Sequence, residues 1–159
     1  MTNKEFFISC LKNEGPNTVA VIKALPEDKL DYKSDEKSRT ARQIVEHLIG
    51  HLAALNEMAD EGKITFENCS FKNPEDAETL FNGKQSELIE KIQKMDDKTW
   101  EEKIIPFYWG EQKIWEDTVN GMCWSFLFDR IHHRGQLSTY IRPMGGKNPS
   151  IYGPSADTM

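Results

Sequence analysis

Apolar residues recur at spacings of three and four in four stretches of this chain, each about 20 residues long, so the fold must bury four helical stripes. The first runs from Thr2 to Leu25 through Phe6, Phe7, Cys10, Leu11, Val19, Ile22 and Leu25, and Gly15-Pro16 inside it predicts a break or kink. The second opens at Thr40, a good N-cap, closes near Gly62, a good C-cap, and carries Ile44, Leu48, Leu52 and Leu55. The third has Asn73 as cap, Pro74 at the first helical position, and Glu75 and Asp76 where acids suit the helix dipole. The fourth runs from Asp117 to Arg142, where Pro143 and Gly145-Gly146 stop it. The spacing predicts helices over 2–25, 40–61, 74–96 and 117–142. Such helices are about 30 Å long, and their natural arrangement is an all-α antiparallel four-helix bundle.

Between the third and fourth stretches, Ile104-Ile105-Pro106-Phe107-Tyr108-Trp109-Gly110 reads as a short hairpin or an aromatic loop, and the tail over 146–159 as an extended segment. Without repeats, low-complexity tracts or a linker, residues 1–159 read as one domain. A chain of 159 residues can bury about 68–70% of its unfolded surface.

Charge narrows the function. The 20 basic residues are scattered among 26 acids, for a net −6. That argues against nucleic acid, which wants a basic stripe, and against an anionic membrane surface. No apolar run approaches the ~20 residues of a spanning helix, and Met1-Thr-Asn-Lys-Glu does not read as a signal peptide. Cys10, Cys69 and Cys123 are odd in number and far apart, with no C-x-x-C. That fits three small hydrophobes in a reducing cytoplasm and excludes a thiolate zinc knuckle.

The anomaly lies in where the histidines fall. His47 and His51 interrupt the row Ile44, His47, His51, Leu55, Met58; Asp129 and His133 interrupt the row Met122, Phe126, Asp129, His133, Leu137, Tyr140. Residues four apart share a helix face. Asp is almost never buried without a partner, and a divalent cation bound by Asp129, His47 and His133 would supply one. Imidazole with carboxylate suits Zn, Ni, Fe or Mn. His132 lies about 100° round the helix from His133, so one of the two, His133, is expected to face Asp129. A plain core histidine, or Asp129 pairing with His133 or Arg134 in its own helix, explains the same pattern without metal.

The run Asp129-Arg-Ile-His-His-Arg-Gly-Gln-Leu-Ser-Thr-Tyr-Ile-Arg142, with H-R-G-Q at His133 to Gln136, resembles the fourth-helix signature of the DinB family of damage-inducible, YfiT-like four-helix bundles. Lys37-Ser-Arg-Thr-Ala-Arg-Gln-Ile-Val-Glu-His47-Leu resembles its second helix, and Pro149-Ser-Ile-Tyr-Gly-Pro-Ser155 a closing segment of one branch. The resemblance implies a metal triad of one His on the second helix and H-x-x-x-H on the fourth. Here His47 and His133 match, Asp129 replaces the other histidine, and His51 is left beside the site.

The resemblance further implies a divalent-metal-dependent enzyme, thiol S-transferase-like or hydrolase-like. It would act on a small molecule, with a low-molecular-weight thiol as a candidate cofactor and a homodimer as the expected assembly. The alternative is a non-enzymatic, stress-associated bundle that binds metal or a small ligand. Tyr108, Trp109 and Trp124 are candidates for an apolar pocket or for core. Arg134 and Arg142 are candidates for an anionic substrate or for surface ion pairs, and Gln136 for orienting a ligand.

Overall fold

A computed structural model describes residues 1–158. Four long helices carry the fold: α1 (Asn3–Lys23), α2 (Ala41–Glu61), α3 (Pro74–Lys94) and, after the short α4 (Asp97–Glu102), α5 (Val119–Ile141). Three strands make a small sheet in the order β1 (Ile64–Thr65), β2 (Ile104–Trp109), β3 (Gln112–Thr118). The four long helices form the bundle that the periodicity predicts, with the long crossover connection that the family resemblance implies and the sheet as an appendage. Met159, the end of the tail expected to be extended, lies outside the described residues; 147–158 carries neither helix nor strand, with a bend at 151–153 and a turn at 156–157.

The caps fall where the sequence puts them. Thr40 and Gln43 form a reciprocal capping box on α2, and Gly62 closes that helix at φ 70°, a left-handed position that suits glycine. Asn73 caps α3 with Pro74 behind it. Thr40→Ala removes one partner of the box and is expected to cost about 1 kcal/mol. Thermal unfolding of the metal-free variant should show it as a Tm lower by about 2–4 °C.

Contacts set the helix directions. Lys4 meets the Met95 carbonyl, and Lys23 meets Glu78, so α1 and α3 are antiparallel. His47 lies against His133 and His51 against Phe126, so α2 and α5 are antiparallel as well. The remaining sides run parallel: Asn56 meets Lys84 and Asp60 meets Lys91 between α2 and α3, while Asn3 meets Trp124 and Glu14 meets Arg134 between α1 and α5. Segment 62–73 makes this possible by running back along α2, with Thr65 held by Glu57, Cys69 N–H donating to the Glu46 carbonyl, and Arg42 donating to the Phe71 carbonyl. Gly50 permits the close approach, because a Cβ there would stand 2.6 Å from the Glu67 carbonyl oxygen.

The core between the helices includes Phe7, Leu11, Ile22, Ile44, Leu48, Leu52, Phe81, Leu88, Met122 and Leu137. Trp100 on α4 is fully buried, packs on Phe7 at 5.4 Å between ring centroids, and donates its indole N–H to Asn3 Oδ1.

One expectation is corrected here. Gly15-Pro16 does not break α1, which is continuous through Pro16. Pro16 and Lys12 are both on the exposed side, so the carbonyl left without a donor faces water. Of the two readings of the 104–114 segment, the structure shows the hairpin, with a bulge between Phe107 and Tyr108 and Gly110 at φ 59° in its turn. Strand β1 lies opposite only Phe107 and Tyr108, so Pro106 has no β1 residue that needs its missing N–H.

Candidate metal centre

Helices α2 and α5 bring four polar side chains to one point. The Nε2 atoms of His51, His133 and His47 lie 3.2, 3.4 and 3.6 Å from Asp129 Oδ2. Spacing of four along each helix puts each pair on one face, and the antiparallel packing turns the two faces together. The His47 ring stands 4.3 Å from that of His51 and 4.7 Å from that of His133, centroid to centroid. The donor atoms of His47, His51 and Asp129 all lie within 4.8 Å of one another. His132 points elsewhere: its Nε2 meets the Gln136 amide at 2.9 Å.

Residues outside the cluster fix two of the rings. Asn68 Oδ1 is 3.3 Å from His47 Nδ1, and Gln136 Oε1 is 2.8 Å from His133 Nδ1, so a ring protonated at Nδ1 has an acceptor there and can offer its Nε2 lone pair to a cation. His51 differs, because its buried Nδ1 has no hydrogen-bond partner among the described residues.

The charges follow from this geometry. The imidazoles of His133, His47 and His51 hold the Asp129 carboxyl far below the usual carboxylate range. Asp129 in turn raises His133. Burial dominates at His51 and pushes it down to about 4, so its ring is neutral near pH 7. The Asp129 side chain is nevertheless 47% exposed, which leaves the centre reachable.

Two cavities each have members of the cluster in their walls. One of about 300 Å³ is lined by His47, His51 and Asp129 and walled by Phe66, Phe107, Trp109, Trp115 and Phe126. The other, of about 730 Å³, has His133, Gln136, Ile44 and Tyr140 in its wall and is roofed by segment 34–39.

The structure therefore brings together His47, Asp129 and His133, the residues singled out in the sequence, and adds His51. The His51 signal was its own spacing, four residues from His47 on the same apolar row. Trp109 lines the aromatic cavity, whereas Trp124 packs on Phe6 and Phe7. Neither arginine is free for a substrate: Arg134 is buried against Glu14 and Tyr152, and Arg142 pairs with Asp157. Cys123 is buried, and burial pushes its thiol up, so it is no nucleophile for this site.

A bundle of parallel and antiparallel sides that carries a His/Asp donor cluster between two of its helices defines the class: helical bundles with a candidate metal centre. The chain belongs to the DinB family, whose sequence pattern matches residues 1–159. Its fold is similar to that of a DinB-like protein from Bacillus subtilis, YjoA (TM-score 0.71, 16% identity, covering 94% of this chain and 99% of that one). It is also similar to a DinB-like protein from Bacillus cereus (TM-score 0.69, 18% identity, 93% and 97%). A third similar structure is Bacillus subtilis YfiT, described as a probable metal-dependent hydrolase with an unusual four-helix bundle topology (TM-score 0.69, 15% identity, 89% and 87%). No curated protein sequence matches the chain.

Proposed function

We propose that this protein is a divalent-metal-dependent enzyme acting on a small molecule, with His47, Asp129 and His133 as the metal ligands. The observation that carries the reading is the convergence of three imidazole Nε2 atoms on one Asp129 carboxylate oxygen where two cavities open. A purely structural metal site is closed by its protein ligands, while a catalytic one keeps positions open. Volumes of about 300 and 730 Å³ are of the size that holds a small ligand.

The donor set fits a cation, and the outer contacts rank the donors. A metal-bound imidazole normally gives its other N–H to an acceptor. His47 and His133 have Asn68 and Gln136 for that purpose; His51 has nothing at Nδ1. A bare Nδ1 lone pair costs less in that apolar position than an unpaired N–H, so His51 is better read as holding its Nε2–H toward Asp129 and steadying the carboxylate.

A divalent cation held here supplies a Lewis acid that lowers the pKa of a water or a thiol taken from solution. The chain's own residues do the rest: Asp129 brings negative charge, the buried face of His51 excludes water, and the aromatic wall receives an apolar group. The hydrolase description of YfiT supports hydrolysis as the first reaction to assay. Thiol transfer needs an exogenous thiol, since Cys123 is sealed in the core. All four cluster residues come from one chain, so a homodimer, if it forms, is not needed to complete the site.

The test is elemental analysis of protein purified without a histidine tag, followed by ester and amide hydrolysis and thiol-conjugation assays before and after chelation. The expected result is one divalent ion per chain and an activity that chelation removes and metal restores. A chain that binds no divalent ion sinks the reading.

A further inference from the structure

The larger cavity has a charge character that the chain as a whole does not. Its lining includes Lys37 and Arg39 together with the hydroxyls of Ser34, Ser38 and Thr139, and it contains no acid, although the chain carries 26 acids against 20 bases. Both cations are exposed. Among the described residues neither enters an ion pair, whereas Arg134 and Arg142 are each taken up by a carboxylate. Their segment is also held in place. The Tyr140 hydroxyl donates to the Arg39 carbonyl, the Lys37 N–H donates to Asp35 Oδ1, and Thr40 immediately afterwards caps α2. Two unpaired cations on an anchored backbone, facing a cavity with His133 in its wall, have the form of an oxyanion receptor.

We propose that Lys37 and Arg39 form an anion-holding lobe that receives the carboxylate or phosphate end of the substrate, while the aromatic cavity receives an apolar group at its other end. The substrate class is then an amphiphilic anion whose reacting bond lies between the two lobes, beside Asp129 and His133. The guanidinium of Arg39 offers the planar fork that matches a carboxylate or phosphate, and Lys37 adds a mobile second charge. The inference deepens the metal-dependent reading and rests on it only for the chemistry between the lobes.

The test titrates malonate, inorganic phosphate and the neutral malonamide into metal-loaded wild-type protein and into the double variant Lys37→Gln/Arg39→Gln, with calorimetry and backbone amide shifts as readouts. Neither side chain is in the core, so the variant is expected to fold, and circular dichroism and metal content verify it. The expected result is that at least one anion binds the wild type, shifts the amides of residues 37–39, and binds the variant about tenfold or more weakly, with metal content unchanged. Malonamide should bind neither protein. Preference for malonate identifies a carboxylate end, and preference for phosphate a phosphate end.

Equal anion affinity in the two proteins overturns the proposal, as does failure of both anions to bind the wild type. The two readings fail separately. A protein that holds no metal but loses anion binding in the variant keeps the lobe and loses the metal reading. One that holds metal with unchanged anion affinity does the reverse.

Discussion

His133→Ala stays folded, binds no divalent cation tightly, and gains no thermal stability when metal is added. The bundle core does not pass through His133, so folding does not depend on metal as it does in a zinc finger. The variant leaves Asp129 with two imidazoles and a side chain 47% exposed, so no unpaired buried charge is created. Wild-type protein at a hundredfold excess of metal over its Kd should gain ~2.7 kcal/mol. In a chain of this size that raises Tm by about 5–10 °C. His133→Ala should show none of this shift in a thermal scan with and without zinc, and should lose the metal-dependent activity. The companion variant His51→Leu separates a ligand from a supporting residue. It should keep the ion with an affinity lower by about 10–100-fold, the usual cost of losing an outer partner. If His51→Leu loses metal outright while His133→Ala retains it, the ligands are His47, His51 and Asp129.

The bundle was legible in the sequence because its helices are bounded by residues that act locally. Thr40, Gly62, Asn73 and Pro74 satisfy or terminate the backbone of their own helix and need no distant partner. Pro16 was misleading for the same reason: the local cost of a proline was visible, while the exposed side that tolerates it is set by packing. Helix α4 went unseen because it is only six residues long and its single apolar anchor, Trp100, has no periodic partner; the signal available was Asp96, which caps it through Thr99. Strand β1 is two residues long and exists only through its pairing with β2, so nothing in its own sequence specifies it. The helix directions were equally hidden, since they depend on segment 62–73 doubling back along α2 over Gly50.

The candidate centre was legible as an inconsistency. Polar residues on apolar rows of two helices need an explanation, and spacing of four selects the same face on each. What spacing could not rank was His51 against His133, because each lies one turn from a neighbour in the cluster. The ranking proposed above rests on Asn68 and Gln136. Asn68 lies on a loop whose path no sequence pattern reveals, and Gln136 sits three residues past His133, next in line on its own helix. The cations of the larger cavity were missed for a comparable reason. Lys37 and Arg39 sit on an irregular connection that no periodicity marks, whereas Arg134 and Arg142 stand out on or beside the histidine helix and are committed by the fold to Glu14 and Asp157.

The metal-free protein loses stability on mild acidification, and His51 is the cause. Burial lowers its folded-state pKa from 6.5 to about 4. Between those values the unfolded chain takes up a proton that the folded chain refuses, so stability is complete above pH 6.5 and falls as pH drops toward 4. The full window corresponds to ~3 kcal/mol, and the part between pH 7 and pH 5 to ~2 kcal/mol. The other shifted groups act elsewhere. His133 is raised by Asp129, so its contribution is present below 6.5 and is lost as pH rises through its folded value, on the alkaline side of the window. Asp129 is lowered, and its contribution is lost only below the ordinary carboxylate range. The lowered carboxylates Glu14, Asp96 and Asp157 likewise act at or below the acid end. Urea unfolding in chelator at pH 7 and pH 5 should therefore show a loss of ~2 kcal/mol in wild type. His51→Leu, which keeps an apolar side chain against Phe66 and Phe126, should lose much less. An equal loss in both proteins would place the acid sensitivity elsewhere in the fold. Bound metal should steepen the acid loss, because protons compete with the cation for the neutral imidazoles that hold it.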